Sequence, residues 1–256
     1  MDERSLIIIP TYEESANIAA VLRRTRASAP TTDVLVVDDT SPDGTATVVR
    51  EIASELGQIT LLERPEKTGL GSAYRAGFEF GLDHGYDVLV EMDADLSHDP
   101  IVIPELLQAV ANGADLAIGS RYVPGGATPG WSRHRRLLSR AGNWYARRAL
   151  GLDTHDATSG FRAYRASIVR AIDAASTRAT GYGFQIELAY LVARRGGSIA
   201  EVPIEFVERT SGASKMSARI TAEALLLVTG WALRDRLLQS GQRRLRRSGT
   251  GAAVAA

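Results

Sequence analysis

Short, continuously apolar runs alternate with helical patterns through the first half of the chain. Between these runs apolar residues recur at helical spacing, as Ile18 and Leu22 do over 15–27. A second helix is predicted after Asp43, which we expect to cap it, and a third over 71–82. The runs themselves predict strands over 6–9, 34–37, 59–62, 88–90 and 116–118. Continuous apolar strands separated by helices indicate an α/β fold whose parallel sheet is covered on both faces.

The second half is less regular, and its C-terminal part differs in character from the rest. Helices are predicted over 133–150, 182–195 and 215–238, and a strand over 199–207. The apolar residues of the last helix include Leu225, Leu226, Leu227, Trp231 and Leu233. Arginines cluster after them, so this segment resembles an interfacial membrane anchor, although packing on the domain is an alternative. We predict one domain over 1–214, an amphipathic, basic interfacial helix region over 215–247, and a disordered tail over 248–256.

Composition and charge narrow the classes of partner. Lys plus Arg and Asp plus Glu each number 30 among 256 residues, and this balance argues against a nucleic-acid partner. The chain has no cysteine, which excludes disulfides and thiolate metal sites. The N-terminus lacks the plan of a signal peptide, and the apolar stretch between Glu223 and Arg234 is shorter than the ~20 residues that cross a bilayer. We expect a protein that is soluble or peripheral to a membrane.

Acidic residues follow three of the predicted strands, at the end where ligands bind in such sheets. They are Glu13 and Glu14, Asp38 and Asp39, and Asp93 and Asp95. Any one acid there could simply cap the next helix, but three sets together favour a shared site. Asp93 and Asp95, two residues apart, can face one divalent cation. Hard oxygen ligands suit Mg²⁺ or Mn²⁺, with a diphosphate supplying further oxygens.

The segment from Lys67 to Gly71 contains two glycines but matches neither common phosphate-loop pattern, G-x-x-x-x-G-K-[ST] or G-x-G-x-x-G. P-loop and dehydrogenase readings are therefore disfavoured, and the glycines are predicted to permit a tight turn into a helix. Only two of the 30 basic residues are lysines, Lys67 and Lys215. Both fall within motifs, which hints that a compact ammonium is needed there.

Several motifs occur in a consistent order along about residues 5–217. They are Pro10-Thr11-Tyr12-Glu13-Glu14, VVDD with SPDGT, Lys67-x-Gly69-Leu70-Gly71, MDADLSH, Gly119-Ser120-Arg121-Tyr122, ATSGFRAY, GYGFQIE, and VPIEF running through Arg209 to Ser214-Lys215. Through them the chain resembles the family 2 GT-A glycosyltransferases, and within these the dolichyl- and polyprenyl-phosphate mannose synthases. The resemblance implies a GT-A fold, which is Rossmann-like, with a mostly parallel central sheet, helices on both faces and a C-terminal amphipathic helix.

The resemblance also implies roles for individual residues. The nucleotide-sugar pocket would comprise Pro10, Tyr12, Glu14, Val37, Asp39, Asp93, Ala94, Asp95, Arg121, Arg209 and Lys215. The metal would be held by Asp93, Asp95 and Ser97, and the acceptor phosphate by Arg121, Arg135 and Ser139. The residues expected to act in catalysis are Asp95, Arg121, Arg209 and Lys215, the last two on a loop that closes over the diphosphate. Arg135 and Ser139 are four residues apart and share a helix face, where an arginine-rich helix resting on lipid headgroups is an alternative.

The expected reaction is the inverting transfer of mannose from GDP-mannose to a polyprenyl (dolichyl-type) phosphate, with Mg²⁺ or Mn²⁺. The enzyme would be cytoplasmic and peripheral at an anionic inner membrane face, and a membrane-protein partner is compatible with this arrangement. One alternative is a synthase for glucose or another hexose that uses a different nucleotide sugar. Another is a sugar nucleotidyltransferase, which would need a glycine-rich, basic loop where Pro10 stands. A third is a non-enzymatic nucleotide-sugar-binding protein, against which the intact acidic and basic motif residues argue.

Overall fold

The computed structural model describes residues 3–177, 179, 181–208 and 223–237. The strands are β1 (Ser5–Thr11), β2 (Asp33–Asp38), β3 (Ile59–Glu63), β4 (Val88–Glu91), β5 (Leu116–Ser120), β6 (Arg162–Arg165) and β7 (Ile199–Pro203). The helices are α1 (Ile18–Ser28), α2 (Thr45–Leu56), α3 (Leu70–Asp83), α4 (Ile103–Ala111), α5 (Arg133–Leu150), α6 (Ala166–Ala171), α7 (Gly181–Arg194) and α8 (223–237). The predicted domain boundary at 214 and the tail over 248–256 lie outside the described residues.

The strands form one mixed sheet in the order β3-β2-β1-β4-β6-β5-β7. β1 pairs in parallel with β2 and β4, β2 with β3, and β5 with β7. The mostly parallel sheet predicted from the apolar runs is thereby confirmed. Because four parallel strands point the same way, the chain segments that follow β1, β2 and β4 all emerge at one edge.

β6 is the exception, since it runs antiparallel to both of its neighbours, β4 and β5. The sequence pattern did not predict this strand. It begins with Arg162, which is fully buried and donates hydrogen bonds to the carbonyl oxygens of Ala157, Ser159 and Gln185, each at 2.7 Å. These carbonyl oxygens, two of them within 5 residues of Arg162 and the third 23 residues away, satisfy the buried guanidinium.

Helices cover both faces of the sheet, as the sequence predicts. In β1, Ile7 and Ile9 belong to a core with residues of α1, α2 and α4, while Leu6 and Ile8 belong to a second core with residues of α3, α6 and α7. The alternation follows from the period-two geometry of a strand. Gly77 of α3 allows close contact with the sheet, because a Cβ there would overlap with Ile8 Cγ2.

Two local predictions need correction. The cap position of α2 is Gly44, in a left-handed conformation with φ of 84°, and not Asp43. The Asp43 carboxylate instead accepts from the backbone N–H groups of Thr45 and Ser15. Burial of the carboxyl group raises its pKa, but the hydrogen bonds outweigh burial and lower the pKa of Asp43 to about 2. The strand predicted over 199–207 ends at Pro203, and beyond it only an isolated bridge pairs Glu205 with Ala127.

α8 packs on the domain through one of its faces. Val228 is buried in a third apolar cluster with residues of α5 and α7, and the ring of Trp231 stacks on Tyr190 with centroids 5.7 Å apart. The Tyr145 and Thr229 hydroxyls lie 2.7 Å apart, which ties α8 to α5. In the part of the chain that the structure describes, no helix combines the length and apolarity needed to cross a bilayer.

Candidate active site

An acidic cleft of about 130 Å³ opens where the chain leaves β1, β2 and β4, next to the start of α3. It is lined by Pro10, Thr11, Tyr12, Glu14, Asp39, Lys67, Gly69, Leu70, Ala73, Asp93, Ala94 and Asp95. Seven of the residues predicted to bind the nucleotide sugar, Asp95 among them, therefore line this cleft. Val37, also predicted, does not line the cleft; its side chain is fully buried in the core beneath it.

Each of the three loops that build this cleft contains one non-glycine residue in the left-handed region. These are Glu13 (φ 60°), Thr40 (φ 52°) and Leu96 (φ 62°). Such conformations are uncommon, and for a β-branched residue such as Thr40 they are costly. The Thr40 hydroxyl donates to the carbonyl oxygen of Arg64, which helps to hold the loop. Backbone strain thus coincides with the ends of the three strands, a feature that the sequence did not reveal.

The two adjacent acids after β2 have different tasks. Asp38 is fully buried and accepts from the Thr11 hydroxyl at 2.8 Å and from the backbone N–H of Ser41 at 2.8 Å, so it fastens two loops together. Asp39 faces the acidic cleft, and Arg64 Nε lies 3.2 Å from its Oδ1. Burial raises the pKa of Asp39, and the charge of Arg64 opposes that rise.

Asp93 and Asp95 both present carboxylates to the acidic cleft. Tyr74 donates to Asp93 Oδ1 at 3.3 Å, and the backbone N–H of Asp93 donates to His98 Nδ1 at 3.2 Å. Ser97 is buried, and both its backbone N–H and its hydroxyl donate to Asp95 Oδ1. The structure thus gives Ser97 a contact that orients Asp95; its predicted role as a metal ligand stays a prediction.

The donor set of this pair fits a hard divalent cation. Mg²⁺ and Mn²⁺ are commonly held by one or two carboxylates, with phosphate and water oxygens completing the coordination. Among the residues described here, no group of three or more His, Cys, Asp or Glu side chains is arranged to hold a metal. A cation between Asp93 and Asp95 would therefore need oxygens from a ligand, as a diphosphate provides.

Lys67 is a cleft residue that the predicted site did not include. Its Nζ lies 3.4 Å from the centroid of the Tyr12 ring, in cation–π contact, at the rim of the acidic cleft. The signal available in the sequence was its rarity, since Lys67 is one of only two lysines. The other lysine, Lys215, and Arg209 lie outside the described residues, and their roles stay predictions.

A second cavity, the apolar cleft, lies between α5, α7 and α8 and has a volume of about 80 Å³. It is lined by Arg121, Trp131, Leu138, Ser139, Gly142, Tyr145, Thr158, Ile186, Ala224, Leu225 and Val228. Two of the three residues predicted to bind the acceptor phosphate, Arg121 and Ser139, thus line the same cleft. Arg121 does not line the acidic cleft, so its predicted contact with the nucleotide sugar stays a prediction.

The third residue, Arg135, stands beside the apolar cleft. Its guanidinium lies 3.9 Å from the centroid of Trp131, which lines the cleft, and its Nη1 donates to Glu208 at 2.9 Å. Ser139 accepts a hydrogen bond of 2.6 Å from the Tyr122 hydroxyl. α5 begins where the Ser132 hydroxyl accepts from the backbone N–H of Arg135, which fixes the first turn that carries this arginine.

The segment from Asp156 to Gly160 joins the two clefts. Thr158 lines the apolar cleft. Gly160 borders the acidic one, since a Cβ built there would lie 3.9 Å from Asp93 Oδ1. Two residues of extended chain span at most about 7 Å. The carboxylates of the acidic cleft and the arginine-bearing apolar cleft are therefore close neighbours.

The outer sides of α5 and α8 form what we call the interfacial patch. Its exposed apolar side chains are Leu137, Trp144, Leu226, Leu233 and Leu237, and its exposed arginines are Arg133, Arg140, Arg148, Arg234 and Arg236. Of the predicted anchor residues in α8, Leu225, Leu226 and Leu233 are exposed, whereas Trp231 packs on the domain. One face of α8 therefore packs on the domain, and the other face is exposed, as an interfacial anchor would require.

A mostly parallel sheet with two carboxylates at its ligand-binding edge is compatible with an enzyme that binds a nucleotide sugar. The family model of glycosyl transferase family 2 matches residues 6–173. An undecaprenyl-phosphate mannosyltransferase of Micrococcus luteus is 52% identical over 91% of this chain and 96% of that protein. A polyprenol monophosphomannose synthase of Mycolicibacterium smegmatis is 48% identical over 92% and 89% of the two chains. The chain belongs to glycosyl transferase family 2.

The fold has relatives among solved structures. Glucosyl-3-phosphoglycerate synthase from Mycobacterium tuberculosis, in complex with Mn²⁺, uridine diphosphate and glucosyl-3-phosphoglycerate, superposes with a TM-score of 0.68 over 90% of this chain and 80% of that one. At 18% identity this likeness establishes the fold alone. The GT-A fold expected from the sequence motifs is confirmed.

Proposed function

We propose that the protein transfers mannose from GDP-mannose to a polyprenyl phosphate, with inversion at the anomeric carbon and with a divalent cation. The observation that carries the proposal is the close neighbourhood of two unlike clefts, one with paired carboxylates and one apolar with an arginine in its wall. A lipid phosphate has the same division into a long apolar chain and an anionic end. The names of the relatives from Micrococcus luteus and Mycolicibacterium smegmatis support mannose and a polyprenyl acceptor.

The acidic cleft would bind the donor. Asp93 and Asp95 would hold Mg²⁺ or Mn²⁺, which supplies positive charge at the diphosphate, and the Mn²⁺ complex of the structural relative supports a divalent ion. Pro10, Tyr12, Glu14, Asp39 and Ala94 would surround the nucleoside. The Asp39 carboxylate suits guanine, because that base presents adjacent N–H donors. Val37 would act only by supporting the floor of this pocket.

The apolar cleft would bind the acceptor. Arg121 and Ser139 would contact its phosphate, with Arg135 at the entrance, and the first part of its lipid chain would lie against Leu138, Ile186 and Val228. An arginine fork is well matched to a phosphate.

The reaction would be a single in-line displacement. A phosphate oxygen of the acceptor forms a bond to the anomeric carbon while the bond from that carbon to the GDP oxygen breaks, and GDP leaves with the electron pair. A phosphate monoester has its second pKa near ~6 and is mostly dianionic at neutral pH, so no strong general base is needed. Arg209 and Lys215, from the segment outside the described residues, would add positive charge at the leaving diphosphate.

The interfacial patch supports work at a membrane. Exposed leucines and a tryptophan beside arginines suit a surface of anionic lipid, where the arginines meet headgroups and the apolar side chains enter the interface. We propose peripheral binding at the cytoplasmic, inner face. A membrane-protein partner is compatible with the same surface.

The test is sugar transfer to a short polyprenyl phosphate from radiolabelled GDP-mannose or UDP-glucose, with Mn²⁺ or Mg²⁺ and with EDTA. We expect label in the lipid phase from GDP-mannose only, and none with EDTA. Label from UDP-glucose alone would make the protein a glucosyltransferase and contradict the assignment of mannose as the transferred sugar. Absence of label from both donors would reject the transfer of mannose or glucose to a polyprenyl phosphate.

A further inference from the structure

We propose that Asp156 is a positioning residue for the acceptor phosphate, because it holds the guanidinium of Arg121 in one orientation in the wall of the apolar cleft. The inference rests on the proposed function, in which Arg121 contacts that phosphate. Nothing in the predicted site included Asp156, which lies 35 residues from Arg121 along the chain.

The contact between the two side chains is bidentate. Arg121 Nε donates to Asp156 Oδ2 at 2.7 Å and Nη2 donates to Oδ1 at 2.6 Å, while the Arg121 backbone N–H donates to Oδ2 at 3.0 Å. Two parallel bonds fix the plane of a guanidinium as well as its distance. The third bond fixes the carboxylate relative to the end of β5, so the orientation of Arg121 is set from both of its ends.

Thr158 completes the restraint. Its Oγ1 accepts from Arg121 Nη2 at 2.7 Å and from Asn143 Nδ2 at 3.0 Å, and its hydroxyl donates to Asp156 Oδ1 at 3.1 Å. Asn143 belongs to α5, the helix that also carries Ser139. The same network therefore holds the arginine and the helix that forms the other side of the predicted phosphate site.

The pair is enclosed by protein. Asp156 is fully buried, and Arg121 is 6% exposed. Burial alone would raise the pKa of Asp156, but the charge and hydrogen bonds of Arg121 hold it below its usual value. Asp156 is therefore ionised at neutral pH. Because its carboxylate is fully buried, water does not compete with it for the guanidinium of Arg121. Removal of its charge would leave a buried guanidinium without its counter-ion.

A second acid fastens Asp156 itself. Glu201 of β7 accepts from the backbone N–H of Asp156 at 3.0 Å and from the backbone N–H and Nδ1 of His155, both at 2.8 Å. Glu201 is in register with Ile118 of β5, the strand that leads to Arg121. The loop that carries Asp156 is thus anchored to the same part of the sheet as the arginine that it holds.

The other predicted phosphate-binding arginine offers a contrast. Arg135 is paired with Glu208, whose side chain is 55% exposed. A carboxylate that faces solvent is readily replaced by a phosphate, whereas the enclosed Asp156 is not. We assign Arg121 the task of a fixed donor and Arg135 that of an exchangeable one.

The experiment measures KM for a short polyprenyl phosphate and KM for GDP-mannose in Asp156→Asn, Thr158→Val and Asp153→Asn. Asp153 is the matched control, since it lies in the same loop with an exposed carboxylate near Arg147. We expect Asp156→Asn to raise the acceptor KM about tenfold or more and Thr158→Val about fivefold. Both variants should leave the donor KM within twofold, and Asp153→Asn should change neither constant.

Binding of the same polyprenyl phosphate without donor is measured in parallel, so that the inference is judged separately from sugar transfer. If the wild type transfers no mannose but binds the lipid, the proposed function fails, and weaker binding by Asp156→Asn still supports the inference. Thr158→Val serves if Asp156→Asn does not fold. Acceptor KM and lipid binding within twofold of wild type in the folded variants, an equal rise in donor KM, or no lipid binding by the wild type would overturn the positioning role.

Discussion

The acidic cleft and the apolar cleft are built in opposite ways. The acidic cleft is assembled from the ends of three neighbouring parallel strands, each followed at once by its own polar residues. The apolar cleft is assembled from the faces of three helices that are far apart in the chain, and its one buried charge, Arg121, is held by Asp156 from a separate loop. The first arises from a general property of parallel sheets; the second depends on tertiary contacts particular to this chain.

This difference indicates how each cleft should respond to substitution. In the acidic cleft, Asp93 and Asp95 would act directly on a bound ligand, and loss of either should affect turnover more than folding. In the apolar cleft, the arginine is part of a buried network, and loss of a partner should affect both stability and acceptor binding.

The largest effect is expected in the acidic cleft. Asp95→Asn should lower metal-dependent turnover about a thousandfold, because several kcal/mol of charge stabilisation at the diphosphate depend on the metal that this carboxylate would hold. Initial rates at saturating donor and acceptor measure it. Asp99→Asn is the control, since Asp99 is half-exposed, pairs with Arg24 and caps a short helix as Asn also can. Near-normal turnover by Asp95→Asn would remove the metal role from this pair.

The next effect concerns the buried network and depends on pH. The pKa of Asp156 is lower in the folded chain than its unfolded value near ~3.9. Its stabilising contribution is therefore present above about pH 4 and is lost as the pH falls below that. Asp156→Asn should lower the free energy of unfolding by about 3–5 kcal/mol at pH 7, and the gap from wild type should narrow towards pH 3.

Urea unfolding at pH 7, 4 and 3 measures this gap. Asp153→Asn, with its exposed carboxylate, should follow the wild type at each pH. A gap for Asp156→Asn that is the same at pH 7 and pH 3 would mean that the Arg121–Asp156 ion pair is not the source of the stability.

A smaller effect is expected at the interfacial patch. The double variant Trp144→Ser and Leu226→Ser should weaken binding to anionic vesicles about a hundredfold, since each apolar side chain contributes about 1.5 kcal/mol or more when buried. Co-sedimentation with vesicles measures it. Ile101→Ser is the matched control, because Ile101 is 69% exposed but lies outside α5 and α8. Equal loss of vesicle binding by Ile101→Ser would mean that the interfacial patch is not the membrane-binding surface.

The smallest effects concern glycines in the two regions. Gly77 of α3 lies against the sheet below the acidic cleft, and Gly77→Ala should destabilise the protein by about 1–3 kcal/mol, because its Cβ would overlap with Ile8. A Cβ on Gly230 of α8 would meet nothing within 4 Å, so Gly230→Ala should stabilise by about 0.5–1 kcal/mol. The melting temperature should fall in Gly77→Ala and rise in Gly230→Ala. A shift in the same direction in both variants would contradict the packing described for these two glycines.

The contrast between the clefts also explains what could be predicted from the sequence. The apolar runs and the acids after them predicted the parallel strands and most of the acidic cleft, because both are local features. β6 was missed because it is only 4 residues long and begins with a buried arginine, Arg162, where an apolar run would be expected. The side chain of Val37 lies in the core, and its predicted contact with the nucleotide sugar stays a prediction.

The apolar cleft was predicted only in part, for a related reason. Arg135 and Ser139 could be paired by helical spacing, and Arg121 by a motif. Asp156 could not be identified from the sequence, because its proposed role depends on a contact with a residue 35 positions away and on complete burial. Long-range partners of a buried charge leave no periodic signal in the chain.

We propose that one cleft binds the nucleotide and the other the lipid phosphate. The most direct test is binding of GDP with Mn²⁺, and separately of a short polyprenyl phosphate, to Asp95→Asn and to Arg121→Lys. We predict that Asp95→Asn loses metal-dependent GDP binding and keeps the lipid, whereas Arg121→Lys keeps GDP and loses the lipid. Loss of both ligands in either folded variant, or loss of GDP alone in Arg121→Lys, would contradict the division of the site into these two clefts.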